Sequence, residues 1–365
     1  MPNKDQLIIR PAPARNIQAA SQPPALYEAD VALGLENFAL AELRAVKHLR
    51  NPRQVAPGVL QFSYSGGKLA SLLHLTTVVA VYRLLHFAVP RPKALLGHEH
   101  LSAISDAINS TLTAHRTGLF QSFLLSAAGS ESAVLARLKA EVAAQFKLVE
   151  AEDSADLLLR LRRPLLGAEG WEVLVRISPR PLQTRAWRIC NLEGALNAPI
   201  ASVIAGLVPP NAAQVYFNLA CGSGTLLIER LALGPVRLAM GCDIDPQAIS
   251  CTTQNLQAAG YTGDATLGQW DGRRLPLQAA SVDVITADLP FGQLVGTHEH
   301  NAELYPALLL EAARVTKPGG HFSLISHEIR LMERLLDDAS LWRLDELIRV
   351  NQGGLNPRIY HLLRV

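Results

Sequence analysis

The sequence predicts an α/β protein whose C-terminal part is an open, mostly parallel, Rossmann-like sheet with helices on both faces. Three observations carry that expectation. From residue 213 onward, short apolar segments alternate with helix-period segments; a glycine-rich turn joins the first strand to the first helix; an acid closes the second strand. Parallel neighbours need a crossover of helix length, so strand–helix alternation reads as a parallel sheet. The first strand is expected at 215–219 with a helix over 224–233, and the second at 237–242 with a helix over 246–259. Buried strands follow at 282–287 and 321–326. Between them lies a helix from about Ala302 to Val315, closed by Lys317-Pro318-Gly319-Gly320.

Ahead of this unit, residues 1–24 are rich in Pro, Ala, Gln and Asn without periodicity, and a disordered tail is expected. Residues 25–95 read as a small α+β unit. Leu35, Phe38, Ala39, Leu43 and Val46 form one apolar helical stripe, with Glu36, Glu42 and Arg44 between them free to face water. Strands are expected at 59–62 and 82–89, with a short helix marked by Leu69, Leu72, Leu73 and Thr76. Residues 96–185 repeat the theme: a strand at 120–126, a helix over 130–146 capped by Ser130, and a hairpin from 157–161 and 171–177. Residues 186–212 are expected to be a linker, with a helix that Pro199 opens and Pro209-Pro210 ends.

Composition narrows the function classes. A chain of 365 residues with 49% hydrophobic and 18% charged residues can bury a sizeable core and exceeds one typical domain. The longest apolar stretch, 72–89, is interrupted by His74, Arg83 and His86, so no membrane span and a cytoplasmic address are expected. A monomer is expected. The four cysteines show no C-x-x-C pair and read as small buried thiols. No metal is expected, since His98-Glu99-His100 and His298-Glu299-His300 lack the i, i+4 spacing of a zinc site and read as surface loops. Charge is uneven: residues 1–200 carry 22 Lys/Arg against 16 Asp/Glu, and residues 201–365 carry 12 against 16. The densest group is Arg160, Arg162, Arg163, Arg176, Arg180, Arg185 and Arg188. It points to a polyanionic partner, with an ordinary solvated face or ion pairs to Glu169 and Glu172 as the alternative.

Two segments carry chemistry. Asn218-Leu219-Ala220-Cys221-Gly222-Ser223-Gly224-Thr225 sits at the first strand-to-helix turn, where glycine lets backbone approach a ligand. Asp243, with Ile244 beside it, ends the second strand and can accept ribose hydroxyls. Asp271, followed by Gly272, can accept from an adenine amine. A dinucleotide site would want a third glycine at position 227, which is Leu227. An adenosine-bearing ligand without pyrophosphate, S-adenosylmethionine, fits better. Asp288-Leu289-Pro290-Phe291-Gly292 follows a buried strand, at the edge where open sheets bind ligands. Asp288, which also borders the cofactor, and the Leu289 carbonyl can both accept from one NH2 group. Pro290 fixes the backbone and Phe291 offers a stacking face.

The glycine-rich segment resembles the first motif of class I methyltransferases. Asp-Leu-Pro-Phe-Gly resembles the acid-x-Pro-aromatic motif of amino-methyltransferases, in the form of THUMP-domain tRNA guanine-N2 methyltransferases. Ala32-Leu33-Gly34-Leu35-Glu36 is similar to the opening of that family's ferredoxin-like domain, and Pro181 to Arg188 to the exit of its THUMP domain. Leu304-Tyr305 and Arg314 to Gly320 resemble the helix and turn before its fifth strand, and Asn351 to Leu355 its C-terminal hairpin. One departure is Asn218-Leu219, where the family usually has Asp-Pro.

The resemblance implies ferredoxin-like and THUMP domains at 25–95 and 96–185, and a class I methyltransferase domain at 213–365. The implied activity is methyl transfer from S-adenosylmethionine to guanosine N2 in tRNA, position 6 favoured and position 10 next. The alternatives are another RNA or DNA amino-methyltransferase, acting on rRNA guanine-N2 or adenine-N6, and a non-catalytic RNA-binding protein with a degenerate fold.

Overall fold

A computed structural model describes residues 24–65, 68–129, 132–290, 298–337, 340–351 and 354–365. The N-terminal tail anticipated at 1–24 lies, but for Pro24, outside them.

One eight-stranded sheet takes in the whole of the first two expected units. Its strands are β1 (Ala25–Asp30), β2 (Leu49–Ala56), β3 (Val59–Tyr64), β4 (Ala80–Phe87), β5 (Ser122–Ala127), β6 (Val149–Glu150), β7 (Leu157–Arg162) and β8 (Trp171–Arg176), in the order β2-β3-β1-β4-β8-β7-β5-β6. The division expected near residue 95 separates no two sheets, because β4 pairs antiparallel with β8, and the cluster of the second unit takes in Phe87 and Leu95 from before it. The helices are α1 (Glu36–Ala45), α2 (Ala70–Leu73), α3 (His98–Thr113) and α4 (Ala133–Phe146). Alternation sets one face of this sheet: Leu60, Phe62 and Val81 point to the cluster that includes Leu43 of α1, while Glu28, Gln61 and Tyr82 point away from it.

Several local expectations are corrected. His98-Glu99-His100 opens α3 instead of forming a loop, because Ile104, Ala107, Ile108 and Thr111 supply a buried helical stripe that starts there. His298-Glu299-His300 likewise opens α8 (His298–Val315). Glu36 and Glu42 do not simply face water: Glu36 accepts from the Gly34 and Gly58 amides, and Glu42 from the Thr76 and Thr77 amides and hydroxyls. The cap of α4 is Ser132, which accepts from Leu135 N; Ser130 lies outside the described residues.

The C-terminal sheet has strands β9 (Val215–Leu219), β10 (Leu238–Asp243), β11 (Ala265–Gln269), β12 (Val282–Asp288), β13 (Thr316–Ser326), β14 (Trp342–Arg349) and β15 (Arg358–Arg364), in the order β11-β10-β9-β12-β13-β15-β14. The first five are parallel; β15, between β13 and β14, runs antiparallel to both, so β14 runs in the same direction as the first five. Lys317 to Gly320, expected as a turn, lie at the start of β13, where a register shift takes up the two glycines. Helices α6 (Thr225–Leu233), α7 (Pro246–Ala258), α8 and α9 (Ile329–Asp337) accompany them. The segment expected as a linker contains α5 (Ala198–Gly206), eight of whose nine residues are buried. It shares one hydrophobic cluster with β1, β3, α1, Leu226 and the β14–β15 hairpin, so the two halves are built around a common core.

Candidate active site

β9 is buried at all five positions and lies between β10 and β12, so its carboxyl end opens at the middle of the sheet. The turn that follows is tight: Cys221 N donates to Cys242 O and Gly224 N to Cys221 O. Its glycines do different work. Gly222 has φ +53 and nothing within 4 Å of where a Cβ would stand, which leaves room for a ligand against the backbone. Gly224 has φ +82, and a Cβ there would stand 2.8 Å from Thr252 Cγ2, so its task is the close approach of α6 to α7.

The turn forms one wall of a cavity of about 630 Å3. The other walls are Asp243 to Asp245, Trp270 to Arg273, Asp288 to Pro290, His300, Leu304 and Leu308 of α8, Leu355, and the chain from Leu192 to Leu196. Of the expected cofactor residues, Ala220, Gly222, Thr225, Asp243, Ile244, Asp271, Gly272 and Asp288 line it. Asn218 and Gly224 do not. Asn218 is fully buried and its amide donates to Thr286 O, tying β9 to β12, while its Oδ1 has no partner among the described residues.

Asp243 accepts from Gly222 N at 2.9 Å through one oxygen and from Asp245 N at 3.1 Å through the other. Each carboxylate oxygen has two lone pairs, so both can still accept a hydroxyl. Asp271 is gripped by the Arg273 guanidinium, which holds its carboxyl below the usual range. Trp270 adds a flat apolar wall packed on Gly268. Among the described residues of the lining, the one cationic side chain apart from His300 is the already paired Arg273, so a pyrophosphate is poorly matched here. An apolar wall for a purine with acceptors for hydroxyls suits an adenosine-bearing ligand.

Asp288 ends β12 on the far side of the turn. Its carboxylate accepts no hydrogen bond among the described residues, and burial pushes it up to about 7. The backbone after it is fixed. Leu289 N donates to Ile325 O, and Pro290 O accepts from Asn301 Nδ2 at 2.9 Å and Tyr305 OH at 2.7 Å. Glu328 holds Asn301 and His298, and Ser326 bonds Tyr305. Reading the chain missed this support and also Glu193 and Arg273; Tyr305 stood in a quoted segment, and His298 and His300 were quoted only as a surface loop. Phe291 and Gly292 lie outside the described residues.

The seven arginines do not form one surface. Arg160 pairs with Asp30 and covers Tyr82; Arg162 pairs with Glu28 and Glu172. Arg163 bonds Gly170 O and covers Trp171, and buried Arg176 bonds four backbone carbonyls. Arg185 pairs with Glu229, and Arg188 bonds Leu196 O and Thr225 Oγ1. Arg163 and Arg180 alone are exposed. Six of the seven are thus engaged within the chain.

The cysteine expectation is half corrected. Cys221 and Cys242 are buried thiols that burial pushes up to about 12. Cys190 and Cys251 form a disulfide, because Asn255 bonds the backbone of Ile189 and Cys190 and brings that segment onto α7. Among the described residues no group of three His, Cys, Asp or Glu could hold a metal, and no helix is long and apolar enough to cross a membrane.

Comparison with known proteins agrees with this geometry. The UPF0020 model, an RMKL-like methyltransferase domain, matches residues 185–358, which takes in the segment expected as a linker. The tRNA (guanine(6)-N(2))-methyltransferase THUMP3 of Mus musculus is 31% identical over 182 residues, covering 46% of this chain and 36% of that protein. The U6 snRNA (guanine-N(2))-methyltransferase THUMPD2 of Bos taurus is 32% identical over 148 residues, covering 40% of this chain and 28% of that protein. The chain thus spans about a third of the length of the curated relatives it matches. The crystal structure of TrmN from Thermus thermophilus superposes with a TM-score of 0.70 at 22% identity, over 93% of this chain and 99% of that one, and so shares its fold. Residues 185–358 are thus similar to the UPF0020 methyltransferase domain, and the chain as a whole has the fold of TrmN.

Proposed function

We propose that the chain transfers a methyl group from S-adenosylmethionine to the N2 amine of a guanosine in RNA, with tRNA as the substrate. The observation that carries this reading is Asp288: a half-buried carboxylate with no partner among the described residues, at a strand end, facing the same cavity as Asp243. The cofactor would lie on Ala220, Gly222, Asp243, Ile244, Asp271 and Gly272, and when bound supplies an electrophilic methyl group. Asp288 and the Leu289 carbonyl accept the two amine hydrogens, which draws the nitrogen lone pair out of ring conjugation. The amine sheds a proton on methylation. A carboxylate near 7 is well matched to take it at neutral pH. A paired guanine hides its N2, so the base must leave the duplex at a cost of roughly a few kcal/mol.

Both mammalian relatives are named for guanine N2, one on tRNA position 6 and one on U6 snRNA, which favours tRNA position 6, with position 10 next. Residues 25–185 are proposed as the ferredoxin-like and THUMP domains. The test is incubation of the full chain with unmodified tRNA transcripts and labelled cofactor, followed by nucleoside analysis. N2-methylguanosine made by wild type and lost in Asp288→Ala supports the reading. N6-methyladenosine would favour the alternative amino-methyltransferase, and absence of S-adenosylmethionine binding by calorimetry would favour the non-catalytic one.

A further inference from the structure

The chain from Leu43 to His98 contains eight Lys/Arg and not one Asp or Glu, a longer basic run than the arginine group that drew attention in the sequence. Three of the eight, Lys47, Arg50 and Arg53, stand exposed along the turn into β2 and on β2 itself, the edge strand of the N-terminal sheet. Among the described residues their side chains make no ion pair or hydrogen bond, unlike six of the seven arginines between 160 and 188. These are charges still available to a ligand.

The strand arranges them. Arg50 pairs with Ser63 and Arg53 with Gln61, so three steps on β2 match two on β3. The extra residue is taken up at Asn51-Pro52, where Asn51 has φ 54. In an unbroken strand, residues three apart point to opposite faces. The bulge puts Arg50 and Arg53 on one face, an example of a bulge re-aiming a side chain.

The strand also leads to the cavity. About 10 Å of extended chain separates Arg53 from the end of β2. There the Glu36 carboxylate joins the Gly58 and Gly34 amides, at 3.0 and 2.8 Å. Leu33 O accepts from Asn351 N at 3.0 Å, and Leu355, four residues on, lines the cavity.

We propose that Lys47, Arg50 and Arg53 bind the phosphate backbone of the RNA whose target base enters the cavity. This rests on the function proposed above. Basic residues on an edge strand also discourage strand pairing, a role that needs no RNA. The test uses full-length Arg50→Gln/Arg53→Gln and a fluorescent unmodified tRNA transcript. Affinity at near-physiological salt should fall by roughly tenfold, and the slope of log affinity on log salt should flatten by about 1.4–1.8 for two lost phosphate contacts. S-adenosylmethionine affinity and the thermal midpoint should not move. Should the double variant not fold, Lys47→Gln alone should flatten the slope by about half as much. Unchanged tRNA affinity and slope in a folded variant overturn the proposal. So does loss of binding to phosphatidylserine vesicles with tRNA binding intact. Because the readout is binding, failure of wild type to make N2-methylguanosine removes the proposed function without deciding this surface.

Discussion

Asp288 ends β12 in the wall of the cavity. Its carboxyl is pushed from an ordinary 3.8 up to about 7 by burial. Between those values the folded chain holds a proton that the unfolded chain has released, so this residue's contribution to stability is present at low pH and is lost as pH rises through about 7. Acceptor strength moves the other way, since only the ionised form accepts both from the amine and its departing proton. Single-turnover methyl transfer should therefore rise with pH and level off above about 7 while the thermal midpoint falls, and Asp288→Asn should flatten both curves. A wild-type rate that is level across neutrality would remove Asp288 from the role given to it. The residues legible in the sequence share a reason. Asp288, Asp243 and Gly222 act through the backbone of their own turn, which a local motif encodes. Asn301 and Glu328 reach Pro290 and each other only through tertiary packing, and no local pattern announces them. The arginines misled for the same reason: a charge count sees Arg160 but not Asp30, its partner 130 positions away.

At the level of elements, the two glycines of the first turn separate cleanly. Gly224→Ala places a Cβ against Thr252 in a left-handed conformation at the start of α6, and should cost about 2–4 kcal/mol. Gly222→Ala meets open space and carries only the left-handed penalty, about 1–2 kcal/mol, but puts a methyl group where the ligand would approach. Denaturant unfolding paired with cofactor titration should show the first variant losing mainly stability and the second mainly affinity. Equal effects in both measurements would contradict the division. The buried strands β9, β12 and β13 were legible because burial on both faces demands apolar runs. Edge strand β2 was not: it has no fully buried residue, and its register breaks twice. The pairing of Cys190 with Cys251 was equally hidden, since it depends on where Asn255 holds the backbone.

The whole molecule is held by contacts that cross its two sheets. Arg185 reaches Glu229 of α6 at 2.7 Å and also bonds Thr76 O beside the N-terminal sheet. Burial pushes the Glu229 carboxyl up and Arg185 opposes that push. Arg185→Ala strands a buried acid and should cost about 3–5 kcal/mol in denaturant unfolding, with much of it recovered when Glu229→Gln is added. Unchanged stability in the single variant would mean that the pair carries no load between the halves. The β4–β8 pairing has a different consequence. Phe87 and Trp171 face each other across adjacent strands, so the chain departs from β4 and returns on β8 at neighbouring positions, having added β7, β5 and β6 to the same sheet. Their hydrophobic cluster includes no residue beyond Val175. Adjacent ends of this kind are the arrangement in which whole modules are exchanged with least damage. The outer part of this stretch, β5, α4 and β6, can grow or shrink while β7 is kept, because Arg160 and Arg162 of β7 hold Asp30 and Glu28 of β1, so a lineage can remodel the far edge of this sheet while inheriting its chemistry intact.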